Sequence, residues 1–207
     1  ELLEQINFHN KHTLSRAFKK HFQMSIPVFR KAYSNVACEN KIIKQPDCSI
    51  KRIKEFKVAY LKFERTHRNK QGYSTLWGQI IEFAKKYNLA DKGFKYVSIS
   101  LDSLDITEID KCRFLIGVTV PYSMEIPKGF GTLNIRAGLY SVFNIKGNYQ
   151  ELNKIYRNIY LDWLPNSKYR LREQMTFELY ANTPDKTSTE ELVTEIYLPI
   201  EAKQKIK

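Results

Sequence analysis

Two Glu-x-Tyr pairs in the last third of the chain are the residues best suited to chemistry. Glu178 and Tyr180 lie in the segment QMTFELYA, and Glu195 and Tyr197 lie in ELVTEIYLPI. Both segments alternate residue types as a β-strand does, so each glutamate shares a strand face with its tyrosine. A carboxylate walled by aromatic rings suits a small amphipathic ligand that is cationic or polar and aromatic. We therefore predict a ligand groove lined by both pairs, with helices covering the apolar face of each strand.

The same residues allow two other interpretations. A Glu beside a Tyr in a closed apolar pocket could act as a base with an orienting acid. However, neighbours on one strand face point in parallel, and the sequence contains no Ser-His-Asp arrangement and no metal-ligand spacing. We therefore predict no catalytic residue, no metal and no cofactor. Glu and Tyr on the polar face of an antiparallel strand are also often only solvated, and this alternative stays open for Glu195.

Two further aromatic residues could contribute to the groove. Trp77 lies beside the apolar stripe of a segment with helical periodicity. Tyr140 shares a predicted strand face with Val142 and Asn144. Either ring could be a wall of the site or part of the core, and the pattern alone does not separate these roles.

The secondary-structure elements that must position these residues are predicted to occur twice in the same order. The order strand–helix–strand–strand is predicted first for residues 58–65, 74–88, 95–101 and 112–120, and again for 139–146, 149–164, 174–181 and 191–200. Two such units would join their strands and pack both helices on one face, which leaves the other face as a groove. The predicted fold class is α+β, with a duplicated β-α-β-β domain, an antiparallel sheet, two helices on one face and a ligand groove.

Four motifs in this part of the chain carry a family resemblance. They are LDSLDITEIDKCRFLIGVTV, GLYSVFNIKGNYQEL, NIYLDWLPNSKY, and FELYANTP followed by ELVTEIYLPI. In this order they resemble the GyrI-like effector-binding domain, which also occurs at the C-terminus of Rob-type regulators. The resemblance spans nearly all of residues 50 to 201. It implies small-molecule binding, and it implies that Glu178 is the acid of the pocket.

The segment before this domain is basic and amphipathic. Leu14, Ala17, Phe18 and Phe22 form an apolar stripe at helical spacing, and no acid falls between Lys11 and Lys31. The residues on the opposite face are Lys11, His12, Ser15, Arg16, Lys19 and Lys20. A helix that binds in a groove of DNA requires one buried apolar stripe and one basic face. Asn10 is predicted to cap this helix.

The order of residues in the segment NFHNKHTLSRAFKKHFQMSIPVFR resembles the second helix-turn-helix of the AraC/XylS family of transcription regulators. The resemblance implies base contacts from Lys11, His12 and Arg16, and phosphate contacts from Lys19 and Lys20. It predicts that the chain is a fragment, with the first half of this DNA-binding domain upstream. The predicted organisation is residues 1–33 as the C-terminal half of that domain, 34–49 as a linker and 50–207 as the GyrI-like domain.

Composition is consistent with these expectations. The net charge of +12 favours polyanionic partners. Cys38, Cys48 and Cys112 fit a reducing compartment, and no segment is apolar enough to span a membrane, so a cytoplasmic protein is predicted.

The preferred function is a ligand-responsive transcription regulator, not an enzyme. The complete regulator would bind DNA, and the ligand would change its affinity for DNA or its contact with RNA polymerase. A GyrI-like small-molecule hydrolase and a module that sequesters a partner protein remain the alternatives.

Overall fold

The computed structural model describes residues 10–22, 25–29, 47–64, 72–89, 91–102, 112–184 and 186–203. The chain divides into two compact units, Glu1–Lys44 and Gln45–Lys207. Among the described helices, none is both long and apolar enough to cross a membrane.

The described part of the first unit contains helix α1 (Lys11–Phe22) and a helical turn at 26–29. Asn10 caps α1, because its Oδ1 accepts the Thr13 backbone N–H at 2.9 Å and the Thr13 hydroxyl at 3.0 Å. This confirms the predicted cap. The Phe18 ring meets the Phe29 ring edge-on at 5.2 Å, so the apolar stripe of α1 packs against the helical turn.

The second unit is built on an antiparallel sheet of nine strands. The strands are β1 (Asp47–Ile53), β2 (Phe56–Glu64), β3 (Tyr96–Ser100), β4 (Arg113–Val120), β5 (Gly131–Ile135), β6 (Gly138–Lys146), β7 (Tyr169–Leu171), β8 (Phe177–Tyr180) and β9 (Val193–Ala202). The helices are α2 (Tyr73–Lys86), α3 (Leu152–Asn158), a π-helical turn (Ile159–Trp163) and a final turn α4 (Leu164–Asn166). The strand order is β1-β6-β9-β8-β3-β4-β2-β5, and β7 pairs with β9.

The predicted repeat is confirmed as β2-α2-β3-β4 and β6-α3-β8-β9. The two repeats meet in the middle of the sheet, where β3 pairs with β8. Strands β1, β5 and β7 were not indicated by the sequence pattern. β1 lies at an edge of the sheet with most of its side chains exposed, so it lacks the apolar alternation that marks a half-buried strand, and its first residues lie in the predicted linker.

The β1–β6 and β2–β5 ladders share one register, so they form a single ribbon that bends at residues 54–55 and 136–137. The sheet curves with it. The Phe56 ring of β2 lies 5.6 Å from the Phe177 ring of β8, although two strands separate them in the sheet. The face enclosed by this curvature is filled by its own apolar cluster. Its buried members are Val58, Val97, Ile99, Leu115, Ile135, Tyr140, Val142, Phe177 and Tyr197.

Both helices pack on the other face, so the prediction that they share one face of the sheet is confirmed. Helix α2 buries Leu76, Ile80, Phe83 and Ala84 against residues of β2 and β4. Helix α3 and the π-helical turn bury Leu152, Ile155 and Ile159 against residues of β6 and β9. The two helices therefore rest on separate clusters at opposite ends of the sheet, and the central strands β3 and β8 lie between those clusters.

Candidate functional site

The floor of the candidate site is formed by the central strands. Ser98 of β3 lies opposite Glu178 of β8, and Tyr96 lies opposite Tyr180. Opposed residues of an antiparallel pair project from the same face. This is the helix-covered face, because Glu178 also pairs with Ile196, which belongs to the cluster under α3. The prediction that the helices cover the apolar face of β8, opposite Glu178 and Tyr180, is therefore wrong; the apolar Phe177 lies on the enclosed face instead.

Glu178 is held by two phenols. The Tyr156 hydroxyl of α3 donates to Oε1 at 2.8 Å, and the Tyr180 hydroxyl donates to Oε2. One donor comes from the helix and the other from the strand that carries the glutamate. Both carboxyl oxygens are therefore oriented by hydrogen bonds.

The electrostatics of this carboxyl are set by burial. Desolvation raises the pKa of Glu178, and the hydrogen bonds from Tyr180 and Tyr156 lower it without cancelling the rise. Within the described residues, no charged side chain is among the causes of the shift. An incoming cation would meet a carboxyl that no described cation neutralises.

Aromatic rings pack around Tyr180, one of the two phenols that donate to the carboxyl. The Trp77 ring of α2 meets the Tyr180 ring edge-on at 5.4 Å and the Tyr96 ring at 6.3 Å. The Tyr149 ring, just before α3, meets Tyr180 from another side at 5.3 Å. Because the faces of aromatic rings carry negative charge density, a group of rings beside a carboxyl is suited to flat or delocalised cations.

The outer edge of the site is formed by the π-helical turn. Tyr160 stacks on Tyr156, with 6.3 Å between ring centroids and 14° between planes. Its hydroxyl shares a 3.2 Å hydrogen bond with Thr176 Oγ1, two residues before Glu178. π-Helical turns often occur at functional sites. Here the turn brings a second tyrosine to the boundary between the site and solvent.

The second Glu-x-Tyr pair lies on the opposite face, so the prediction that both pairs line one groove is wrong. The register places Glu178 opposite Ile196, and Glu195 therefore projects to the other side. There the Tyr197 hydroxyl donates to Glu195 Oε2 at 3.0 Å, and Lys51 Nζ lies 3.5 Å from Oε1.

The face that carries this second pair is not the open groove that the strand pattern predicted. Tyr197 is 7% exposed and stacks on Phe177 at 4.7 Å. Burial and the nearby Glu195 carboxylate raise its pKa. Tyr197 thus belongs to the enclosed apolar cluster, and the half-buried Glu195 lies at its margin.

Tyr140 is part of the same enclosed cluster and is fully buried. Its hydroxyl donates to the Arg136 carbonyl at 3.0 Å, and the Arg172 guanidinium lies 5.1 Å from its ring centroid. Of the predicted ligand-site residues, the structure therefore brings together Glu178, Tyr180 and Trp77.

Sequence reasoning missed Tyr156, Tyr96, Ser98 and Tyr149. One available signal was the repeat itself. Since Glu178 and Tyr180 lie in the third element of the second unit, the third element of the first unit should hold their counterparts. That element is β3, which carries Ser98 and Tyr96 directly opposite Glu178 and Tyr180. Tyr156 lies next to the apolar stripe of α3, where helical periodicity predicts a core residue and gives no indication of a binding role.

The predicted DNA-contacting face lies in the other unit. His12, Arg16, Lys19 and Lys20 are exposed on α1, while Leu14 and Phe18 are partly buried. The side chain of Lys11 lies outside the described part of the chain. The exposed residues thus form one basic face of the helix.

Comparisons with known proteins support this architecture. The C-terminal domain of EcmrR is similar in structure (TM-score 0.59, 19% identity), covering 76% of this chain and 99% of that one. EcmrR in a DNA complex has the same TM-score of 0.59 at 18% identity, covering 97% of this chain and 75% of that one. SAV2435 bound to tetraphenylphosphonium has a TM-score of 0.50 at 18% identity, covering 75% of this chain and 94% of that one.

Comparison with curated protein sequences gave no match. A family model described as "GyrI-like small molecule binding domain" matches residues 46–201. That match includes every strand and helix of the sheet-containing unit except the last residue of β9, and it covers most of the chain. The chain therefore belongs to the GyrI-like small-molecule binding domain family.

Proposed function

We propose that the site on β3 and β8 around Glu178, here called the inter-helix site because it lies between α2 and α3, binds a small amphipathic cation with aromatic character. The observation that carries this proposal is the arrangement at Glu178, in which two phenols orient a partly buried carboxyl and the rings of Trp77 and Tyr96 pack beside the Tyr180 donor. No described cation neutralises that carboxyl. SAV2435 was solved with tetraphenylphosphonium, which is a ligand of this chemistry.

Calorimetric titration with tetraphenylphosphonium tests the proposal. We expect saturable binding that weakens by about tenfold or more in Glu178→Gln, because the charge is lost while the shape is nearly kept. One carboxyl oxygen becomes an NH2 group, whose N–H can donate to a phenol oxygen. Glu195→Gln is the matched control, since it alters a Glu-x-Tyr pair on the opposite face, and its affinity should stay unchanged. Equal affinities in wild type and Glu178→Gln would contradict the proposal.

We further propose that the complete protein is a ligand-responsive transcription regulator that binds DNA through α1. Residues 1–33 would be the C-terminal half of an AraC-type helix-turn-helix domain, joined by residues 34–49 to the sensing domain. The basic face of α1 and its capped start support this role. Arg16 would contact base edges, whereas Lys19 and Lys20 would contact phosphates. RNA polymerase would be the partner that receives the output.

The salt dependence of DNA binding tests this second proposal in the complete protein. Each lysine that contacts a phosphate contributes to the slope of log affinity against log salt. We expect Lys19→Ala to reduce that slope by about 1 on any sequence. Lys85→Ala, which removes an exposed lysine from α2, is the control and should leave the slope unchanged. Identical slopes for the wild type and Lys19→Ala would exclude α1 as the DNA-binding element.

A further inference from the structure

The Glu178 carboxyl lies in a neighbourhood that contains hydrogen-bond donors but no described positive charge. Strand β8 contributes Thr176 and Tyr180, β3 contributes Tyr96 and Ser98, and β9 contributes Thr194 and Ile196. The helical elements contribute Tyr156, Tyr160, Trp77 and Tyr149. The titratable groups in this set other than Glu178 are all phenols, which ionise in general near pH 10 and carry no charge at neutral pH.

A partly buried carboxylate with no compensating cation is costly, and proteins commonly relieve that cost by keeping the group protonated. The raised pKa of Glu178 agrees with this expectation. When the acid is protonated, its O–H donates a hydrogen bond, and one of the two phenol oxygens accepts it. The hydroxyls of Tyr156 and Tyr180 are able to reorient in this way because a phenol both donates and accepts.

We propose that the inter-helix site exchanges a proton for its cation, so that Glu178 is protonated in the ligand-free protein and ionises when a cation binds. This inference rests on the proposed ligand site. The O–H bond of the carboxyl breaks, the proton passes to the solvent, and the carboxylate pairs with the bound cation, so the net charge of the site does not change. Ligand affinity would then depend on pH as well as on ligand concentration.

The direction of that dependence follows from linkage. At a pH below the folded-state pKa of Glu178, a cation must displace the proton, and its apparent affinity falls by up to about tenfold per pH unit. Above that pKa no proton remains to be displaced, and the affinity becomes independent of pH. A neutral ligand has no reason to release the proton at any pH.

Calorimetric titrations in two buffers of different ionisation enthalpy measure the number of protons released for each ligand bound. With tetraphenylphosphonium we expect release approaching one proton per molecule bound on the acidic side, and none on the alkaline side. Glu178→Gln should release none at any pH, whereas Glu195→Gln should behave as the wild type does. Triphenylphosphine oxide, a neutral probe of similar shape, should bind without proton release.

Infrared spectroscopy supplies a second measurement that does not depend on the mutants being folded. The wild-type protein without ligand should show a protonated-carboxyl band that disappears on addition of tetraphenylphosphonium. Binding that requires Glu178 but releases no proton and leaves the spectrum unchanged would overturn the exchange and keep the proposed ligand site. Absence of saturable binding would overturn both.

Discussion

At the scale of single residues, Glu178 combines two opposing influences. Its surroundings raise the pKa of the carboxyl, although two phenols donate to it. The folded protein therefore holds a proton on this group at pH values where an unfolded chain would not. The group proposed to bind the cation is consequently also a source of pH-dependent stability.

We expect Glu178→Gln to be more stable than the wild type at neutral pH. A carboxyl with a raised folded-state pKa favours the folded state fully below its unfolded pKa of about 4, and this contribution is lost as pH rises through the folded-state pKa. Glutamine does not ionise, so the variant loses no stability in this way as pH rises. Urea denaturation at a series of pH values measures the difference in unfolding free energy, which should grow from acidic to neutral pH. If the unfolding free energies of the wild type and Glu178→Gln changed with pH in parallel, the raised pKa of Glu178 would be contradicted.

At the scale of elements, two glycines illustrate opposite constraints. Gly117 lies in β4, where a Cβ would stand 2.3 Å from the Ala59 carbonyl oxygen and 2.9 Å from the Val58 side chain. Gly78 lies within α2, where a Cβ would meet nothing within 4 Å. The first glycine permits a close approach of strands, whereas the second only weakens a helix.

We expect Gly117→Ala to lower the free energy of unfolding by about 1–3 kcal/mol or more, because β2 cannot move away without breaking its ladder with β4. Gly78→Ala is the matched control in the same domain. It should raise stability by about 0.5–1 kcal/mol, since alanine restricts the unfolded chain and favours the helix. Thermal or urea denaturation of the two variants checks both signs. A neutral Gly117→Ala would show that β4 does not approach β2 as closely as described.

At the scale of the whole molecule, the helices and the strands of the repeat could be predicted because each carries a clear apolar period. Helix α2 shows this well, since Leu76, Ile80, Phe83 and Ala84 are all buried. The relative faces of β8 and β9 could not be predicted. Residues 181–192 join these strands, and a connection of that length does not fix their register. A one-residue difference in register decides whether Glu178 and Glu195 share a face.

The site therefore has parts of unequal stiffness. Its floor belongs to β3 and β8, which are hydrogen-bonded to neighbours on both sides, whereas its walls belong to two helices that rest on separate apolar clusters. If the proposed ligand binds here, we expect the strands to stay in place and the two helices to move apart. The spacing between α2 and α3 would then increase with the width of the ligand. Two ligands of equal charge and different width would leave the domain in measurably different shapes, so that ligand size would be converted into a mechanical displacement.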